Sequence, residues 1–341
     1  MMERGPEPRS VDAATITDLA AFVRDIAQPC LPVVVRGLCR NWPVVTAATR
    51  SSAALVAYLA RFDAGRTAEA FVGDPAIAGH YAYGKDLAGF NFARESLRFG
   101  DALTRIVAAA DAPETESVYL GSLPTDAYLP GFAAENILPI VPATARPRIW
   151  IGTASSVACH YDTFDNLACV VAGTRRFTLY PPDAIGQLYV GPIDHTMAGQ
   201  PISLAANAPP GDPRYPNVAT ARARAMVVDL APGDALYMPK LWWHSVEATA
   251  PFNVLVNYWW DAFAAGPDAP YTAMLLSMIA IAERPPAERA AWRAFFDHYV
   301  FRPEGHPLAH LPEAQHGILG PLGQGNYGRI RAWVMKMLRG G

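Results

Sequence analysis

The chain has 341 residues, of which 51% are hydrophobic and 17% are charged, so it is long and apolar enough to bury a large core. A net charge of −3 gives no overall basic field and argues against nucleic acid as a partner. Four cysteines without C-x-x-C spacing, no apolar leader and no apolar run long enough for a membrane span predict a soluble, cytoplasmic protein.

Residues 1–116 mix helical and strand-like patterns. Apolar residues at helical spacing predict a helix over 11–28, and a serine at a capping position begins a second over 51–62. Short apolar runs predict strands at Val33–Val35, "EAFVG" and "HYAYG", while "GFNFARESLRFGDALTRIVAAA" should end in a helix. We expect these α/β elements to pack on a larger core.

Residues 117–262 have the pattern of a β domain. The predicted strands are rich in β-branched and aromatic residues and are separated by Gly, Pro or Asp: "SVYLGS", "RPRIWIGT", "NLACVVAG", "RRFTLYPP", "AMVVDL", "DALYMP", "HSVEAT" and "FNVLVNYWW". So many short strands without intervening helices predict an antiparallel jelly roll. A long insert over 191–223 interrupts them and is typical of a lid or binding surface; His195 within it is expected to face solvent.

Residues 263–341 return to helical patterns. The segments "YTAMLLSMIAIAERPPAERAAWRAFFDHYVF" and "NYGRIRAWVMKML" flank a connector rich in Pro, Gly and His. Their apolar stripe is wider than one small helix pair needs, so these helices either cap their own jelly roll or pack on a second copy.

The triplet His160-Tyr161-Asp162 is the first chemical signal in the β domain. Side chains alternate along an extended chain, so the imidazole and the carboxylate point to the same face. His244, which opens a strand after "GDALYMPKLWW", is the best third ligand, and two His with one carboxylate leave open positions on iron. The competing interpretations are a hydrogen-bonded surface pair for the H-x-D and a core histidine for His244.

Two longer segments carry a resemblance to a known family. "HYDTFDNLACVVAGTRRFTLYPPDAIGQLYVGP" and "GDALYMPKLWWHSVEATAPFNVLVNYWW", with "LPVVVRGLCRNWP" upstream, resemble the JmjC/cupin-like family of Fe(II)- and 2-oxoglutarate-dependent oxygenases over about residues 30–260. The nearest branch is bacterial and cupin-like, related to the asparaginyl hydroxylase that inhibits hypoxia-inducible factor. The resemblance implies a double-stranded β-helix, mainly β, with N-terminal α/β elements and a C-terminal helical extension. It also implies that His160, Asp162 and His244 bind Fe(II).

The same resemblance assigns four residues to the co-substrate 2-oxoglutarate. Asn166 and Asn257 match positions beside the cofactor, and Tyr119 matches a hydroxyl donor to its distal carboxylate. Arg175 stands where the family commonly has Lys; it can hold a carboxylate through two hydrogen bonds, but needs a reshaped pocket. Arg176 faces the other side of a regular strand and could replace it only if a bulge shifts the register.

The sequence differs from the family pattern at a second position, three residues before His160. Val157 occupies a position where the better-known branch has a Thr hydroxyl, so that contact is missing or comes from Ser155 or Ser156.

These observations predict a dioxygenase that uses Fe(II), 2-oxoglutarate and O2 to hydroxylate a C–H bond, most simply in a protein or peptide side chain. A small-molecule hydroxylase of the same mechanism, metal chemistry without 2-oxoglutarate, and a non-catalytic metal-binding cupin-like protein are the alternatives. Demethylation of methyl-lysine occurs in the wider family, but no reader module or basic tail supports it here. We expect a homodimer through the C-terminal helices, from the related hydroxylase, and neither nucleic acid nor membrane as a partner.

Overall fold

The computed structural model describes residues 6–84, 89–194, 196, 199–264, 266 and 268–340; His195 lies outside this set. Contacts divide the chain into two units, Met1–Ala262 and Phe263–Gly341.

Among the described residues, the first unit contains twelve strands: β1 (Arg9–Asp12), β2 (Val33–Arg36), β3 (Thr67–Gly73), β4 (His80–Tyr81), β5 (Ala93–Arg98), β6 (Ser117–Pro124), β7 (Pro147–Tyr161), β8 (Asp165–Ala172), β9 (Arg175–Tyr180), β10 (Met226–Leu230), β11 (Ala235–Met238) and β12 (Trp243–Trp260). Its helices are α1 (Leu19–Phe22), α2 (Pro43–Arg50), α3 (Ser52–Ala60), α4 (Phe99–Asp111), α5 (Thr125–Tyr128), α6 (Phe132–Glu135) and α7 (Val218–Arg222).

The strands form a jelly roll in which two long strands belong to both layers. One layer runs β1-β2-β11-β8-β12-β7-β6-β3-β5. The other joins β10 to β9, β9 to the first half of β12, and β4 to the second half of β7. Pairing is antiparallel except between β1 and β2 and between β4 and β7. The predicted fold class is therefore confirmed.

Two apolar cores explain why the central strands are buried on both faces. Helices α2, α3 and α4 contribute Val44, Leu55 and Ile106 to one core, which they share with the outer face of the sheet. The other core lies inside the jelly roll, with Val170 and Phe177 among its members. All eight residues of β8 are buried, because one face meets each core.

The predicted helix over 11–28 is wrong in its first half. Val11 lies in β1 and is the parallel partner of Val35, so its side chain serves a sheet rather than a helix. The helix begins only at Leu19, where the Ala21 N–H donates to the Asp18 carboxylate at 2.8 Å. The second predicted helix is α3, which is capped by Ser51 as expected.

Several predicted strands are shorter than the real ones. "HSVEAT" and "FNVLVNYWW" are two halves of β12, joined through a register shift between Ala248 and Phe252. "RPRIWIGT" is only the first half of β7, which continues to Tyr161. The described residues of the insert over 191–223 have little regular structure beyond α7, and Ile202 forms an isolated bridge with His160.

The second unit contains three longer helices, α8 (Pro270–Ile281), α9 (Pro286–Phe296) and α10 (Asn326–Leu338). Asp268 accepts hydrogen bonds from Tyr327 and Arg331, which anchors α10 within this unit. The described side chains of α8 and α9 include none that is buried. No helix in the described parts of the chain has the length and apolar character needed to cross a bilayer.

A buried carboxylate ties β8 to its neighbours. The Asp165 side chain, 1% exposed, accepts hydrogen bonds from the Tyr237 hydroxyl at 2.9 Å and the Ala262 N–H at 2.9 Å. Lys240 Nζ lies 3.3 Å from the same carboxylate and also contacts Asp261. These contacts join the start of β8 to the ends of β11 and β12.

We therefore expect Asp165→Asn to lower the free energy of unfolding by about 2–4 kcal/mol, because it removes the charge that faces Lys240 and leaves only one acceptor oxygen for the Tyr237 hydroxyl and the Ala262 N–H. Chemical denaturation measures this loss. The control is Asp183→Asn, which removes an ion pair between Arg224 and a carboxylate whose side chain is 71% exposed, and should cost less than about 0.5 kcal/mol. Equal losses in the two variants would contradict the anchoring role.

Candidate metal and co-substrate site

The two candidate histidines face each other across paired strands. His160 lies one residue before the end of β7, and His244 is the second residue of β12. They are direct antiparallel partners, and their ring centroids are 4.4 Å apart. Directly opposite residues on one face are the closest side-chain neighbours in an antiparallel sheet, so strand pairing alone brings the rings together.

Backbone carbonyls fix the orientation of both rings. Nδ1 of His160 lies 2.8 Å from the Ala158 carbonyl, and Nδ1 of His244 lies 3.0 Å from the Trp242 carbonyl. A carbonyl only accepts, so each Nδ1 carries the proton and each Nε2 keeps its lone pair. This arrangement of the outer nitrogen is typical of histidines that bind metals.

Asp162 completes the group immediately after β7. Its Oδ2 lies 3.9 Å from Nε2 of His244 and accepts hydrogen bonds from Trp259 Nε1 at 3.1 Å and Asn166 Nδ2 at 3.4 Å. One candidate ligand atom from each of His160, Asp162 and His244 lies within 4.8 Å of the others. Two imidazoles and one carboxylate on one side of a cavity fit an Fe(II) ion with open positions.

Burial keeps His244 in the form that binds metal. Desolvation, with a smaller effect of neighbouring His160, lowers the pKa of His244 from 6.5 to about 4, while Asp162 opposes the shift. The ring is therefore neutral at physiological pH, and no proton must be displaced for a metal to bind.

The triad opens into a cavity of about 800 Å³ of empty space, part of it open to solvent. Its wall includes all seven residues predicted for the site: His160, Asp162, His244, Tyr119, Asn166, Arg175 and Asn257. Residues from β6, β7, β8, β9 and β12 thus meet at one place.

Arg175 lies inside this cavity as a buried guanidinium. The residue is 2% exposed, and its Nε and Nη2 have no hydrogen-bond partner among the described residues. Burial lowers the pKa of Arg175 and raises that of Tyr119, and the positive charge of Arg175 acts on the neighbouring phenol. Buried N–H groups are almost always paired, so these orphaned donors fit an anionic ligand that enters from outside the chain.

Arg176 has a different environment, because the strand is regular here. β9 pairs with β10 and β12 without a register shift at this point. Arg176 therefore points away from Arg175 and forms a surface ion pair with Asp229 at 2.8 Å. No bulge brings it to the cavity.

The two asparagines connect the triad to the aromatic wall. Asn257 donates to the Asn166 side-chain oxygen at 3.3 Å and accepts from Trp150 Nε1 at 2.8 Å. Asn166 in turn donates to Asp162. This chain of hydrogen bonds orients the amides, and a co-substrate beside the metal would meet them in fixed positions.

The cavity wall is apolar at Val157, the position where the better-known branch of the family has a Thr hydroxyl. Val157 lines the cavity, whereas Ser155 and Ser156 are not among its described lining residues. The Ser155 hydroxyl is instead buried without a hydrogen-bond partner in the described part of the chain.

Several aromatic residues of the cavity wall were not predicted from the sequence. They are Phe71, Tyr81, Phe92, Trp150 and Trp259. The signal was present in the aromatic segments "EAFVG", "HYAYG" and "GFNFA", but these lie far from the ligands in sequence and nothing in their spacing links them.

Comparison with known proteins is consistent with this geometry. The family model described as "Cupin-like domain" matches residues 19–266. "Jumonji C domain-containing protein 5" of Drosophila melanogaster is 36% identical over 122 residues, covering 35% of this chain and 29% of that protein. "HSPB1-associated protein 1 homolog" of Danio rerio is 35% identical over 115 residues, 33% of this chain and 24% of that protein. "Lysine-specific demethylase JMJ31" of Arabidopsis thaliana is 30% identical over 148 residues, 43% and 25% respectively. The matched regions span less than a third of the length of these curated relatives.

The lowered pKa of His244 predicts how stability depends on pH in the metal-free protein. As pH falls below 6.5, the unfolded chain takes up a proton on this ring and the folded chain does not until about pH 4. The free energy of unfolding should therefore fall over this window, by an amount on the order of 3 kcal/mol. His244→Gln should show a smaller fall, measured by denaturation at stepped pH.

The control for this measurement is His80→Gln, which changes an exposed histidine. It should keep the pH dependence of the parent. An unchanged pH dependence in His244→Gln would show that His244 does not titrate as its burial requires.

Proposed function

Because the chain belongs to the family of cupin-like domains, as its motifs predicted, we propose that it is an Fe(II)- and 2-oxoglutarate-dependent oxygenase that hydroxylates a C–H bond. The observation that carries the proposal is the buried Arg175, whose orphaned donors share one cavity with the His160, Asp162 and His244 triad. A metal site alone would fit many chemistries. A metal site beside an unpaired guanidinium fits an anionic co-substrate that chelates the metal at one end.

The triad residues would hold the iron. His160 and His244 would bind through Nε2, since their Nδ1 atoms donate to carbonyls, and Asp162 would bind through a carboxylate oxygen. When bound, the iron with 2-oxoglutarate and O2 would supply the oxidising chemistry, in which one atom of O2 ends in succinate as 2-oxoglutarate loses CO2 and the other atom ends in the hydroxyl group of the substrate. The protein's part is to orient these groups and to exclude water.

The co-substrate would be held by residues of four strands, β6, β8, β9 and β12. Arg175 would form a charge-assisted hydrogen-bonded pair with the distal carboxylate, helped by the Tyr119 hydroxyl. Asn166 and Asn257 would fix the end nearer the metal. Val157 also lines the cavity, and because its side chain is apolar it would offer the co-substrate no hydroxyl donor.

A protein or peptide side chain is the substrate we favour, and a small molecule is the alternative. One relative carries the name of a lysine-specific demethylase, so the family includes proteins assigned to side-chain chemistry. A protein that binds a metal but no anion would have no use for the unpaired donors of Arg175 beside the triad.

Anaerobic titration of the Fe(II)-loaded protein with 2-oxoglutarate tests the proposal. We expect a saturable charge-transfer band, absent in His160→Ala because a ligand is lost. Arg175→Ala should weaken 2-oxoglutarate binding by about 30- to 100-fold, since a charge-assisted pair is removed. Arg176→Ala is the matched control, because the neighbouring arginine faces Asp229, and should bind as the parent does. Bound iron with no band would exclude the assignment of 2-oxoglutarate.

We also propose a homodimer formed through the C-terminal helices. Helix α8 carries exposed apolar side chains including Met274, Met278 and Ile279, the last 84% exposed, and a second copy would cover them. Ile279→Lys should shift the protein toward the monomer in analytical ultracentrifugation, while Glu283→Lys, an exposed charge change beyond the end of α8, should not. A parent protein that sediments as a monomer would contradict the proposal.

A further inference from the structure

An aromatic wall lines one side of the cavity, and Tyr119 is its only member that was predicted from the sequence. Its members come from six separate segments of the chain: Phe71, Tyr81, Phe92, Tyr119, Trp150 and Trp259. Consecutive rings are in contact, with centroid distances of 4.8 Å for Phe71–Phe92, 5.3 Å for Tyr81–Phe92 and 5.9 Å for Tyr81–Tyr119. The wall continues through Tyr119–Trp150 and Trp150–Trp259, each at 5.9 Å.

Three of these rings are already engaged with the proposed cofactor residues. Trp150 donates to Asn257, and Trp259 donates to Asp162. Tyr119 lies beside Arg175. These rings therefore belong to the metal and co-substrate end of the cavity.

The remaining rings have no such role among the described contacts. Tyr81 donates its hydroxyl to Ser117 Oγ at 3.1 Å, which leaves its ring face for the cavity. Phe71 and Phe92 are half-buried, have no polar atoms on their side chains, and present apolar surface to the same space.

The Phe71 ring is held in place from its own sheet. Its strand partners are Tyr119 on β6 and Arg94 on β5. The Arg94 guanidinium lies 5.3 Å from the ring centroid and pairs with Glu69 at 3.3 Å. A ring fixed by a cation–π contact and an ion pair is preorganised, so a ligand that packs on it loses little freedom in the protein.

The charges around the cavity disfavour a cationic ligand. Among the described lining residues, Asp162 is the only carboxylate, and it belongs to the metal triad. Arg175 contributes a positive charge to the same cavity. A buried ammonium or guanidinium would therefore have no counter-ion of its own, which is a costly arrangement.

We propose that Phe71 and Phe92, with the ring face of Tyr81, form a substrate subsite for an uncharged apolar or aromatic group, and that the subsite discriminates against a lysine or arginine side chain. The assignment of this surface to the substrate rests on the proposed function. The consequence is that the oxidised side chain is hydrophobic, in contrast to the lysine that one relative's name specifies.

Binding of three capped amino acids tests the subsite without any turnover. N-acetyl-phenylalaninamide, N-acetyl-norleucinamide and N-acetyl-lysinamide share an uncharged backbone, and lysine differs from norleucine essentially by its ammonium group. Saturation-transfer NMR titrations would use the full chain loaded with diamagnetic Zn(II) and 2-oxoglutarate, and the metal-free chain in parallel. We expect the phenylalanine and norleucine probes to bind at least about ten-fold more tightly than the lysine probe.

Two variants locate the binding. Phe71→Ala and Phe92→Ala should each weaken binding of the phenylalanine probe by about three- to ten-fold, since each removes a ring contact. Phe295→Ala, which removes an exposed phenylalanine of the second unit, should leave binding unchanged. Thermal unfolding shows whether each variant is folded, and Phe92→Leu replaces Phe92→Ala if the latter is not.

Equal or tighter binding of the lysine probe, binding of none of the three probes, or unchanged binding in both phenylalanine variants would overturn the proposal. The charge-transfer titration separates this outcome from failure of the proposed function. A band with lysine preference would leave the oxygenase assignment standing without this subsite. Selective binding of the apolar probes without a band would leave the subsite standing without the oxygenase assignment.

Discussion

The pairing of β7 with β12 is the constraint on which the site depends. His160 opposite His244 is one pair in a ladder that runs the length of both strands. A slip by one residue would send one histidine to the other face. The neighbouring pairs oppose such a slip: Trp243 lies opposite Tyr161 with the two rings 4.8 Å apart, and β9 pairs with the same part of β12 without a register shift. Two register shifts separate this part from the far half of β12, so the metal geometry is fixed by the strand pairing next to the histidines themselves.

Strand β8 also positions the site, and its two faces carry different groups. Its inner face carries Asn166 to the cavity, and its outer face carries Asp165 to the cluster with Tyr237 and Lys240. Asp165 follows Asp162 by only three residues. Anchoring the start of β8 thus holds the short connection from which the Asp162 carboxylate reaches the two histidines.

The sequence was sufficient where function depends on neighbours along the chain. Alternation along a strand put His160 and Asp162 on one face, and it separated Arg175 from Arg176. It failed where local pattern competes with tertiary pairing: Val11 fits a helical stripe, yet parallel pairing with β2 recruits it to a strand. The aromatic wall could not be inferred at all, because Phe71 and Phe92 meet Tyr81 only after three segments have folded against the jelly roll.

Arg175 is a buried charged group that lowers the stability of the fold. A buried guanidinium with unpaired donors costs several kcal/mol, and nothing in the described chain compensates it directly. The compensation is spread over the inner core, where Phe177 on the same strand and Val170 on β8 pack tightly. An arginine that served the core alone would be expected to have an internal carboxylate partner that offsets part of this cost. No such partner lies among the described residues, so the unpaired donors of Arg175 form a preformed anion site beside the triad. A carboxylate that binds there would accept the hydrogen bonds that these donors lack in the folded chain. Its binding would therefore stabilise the protein.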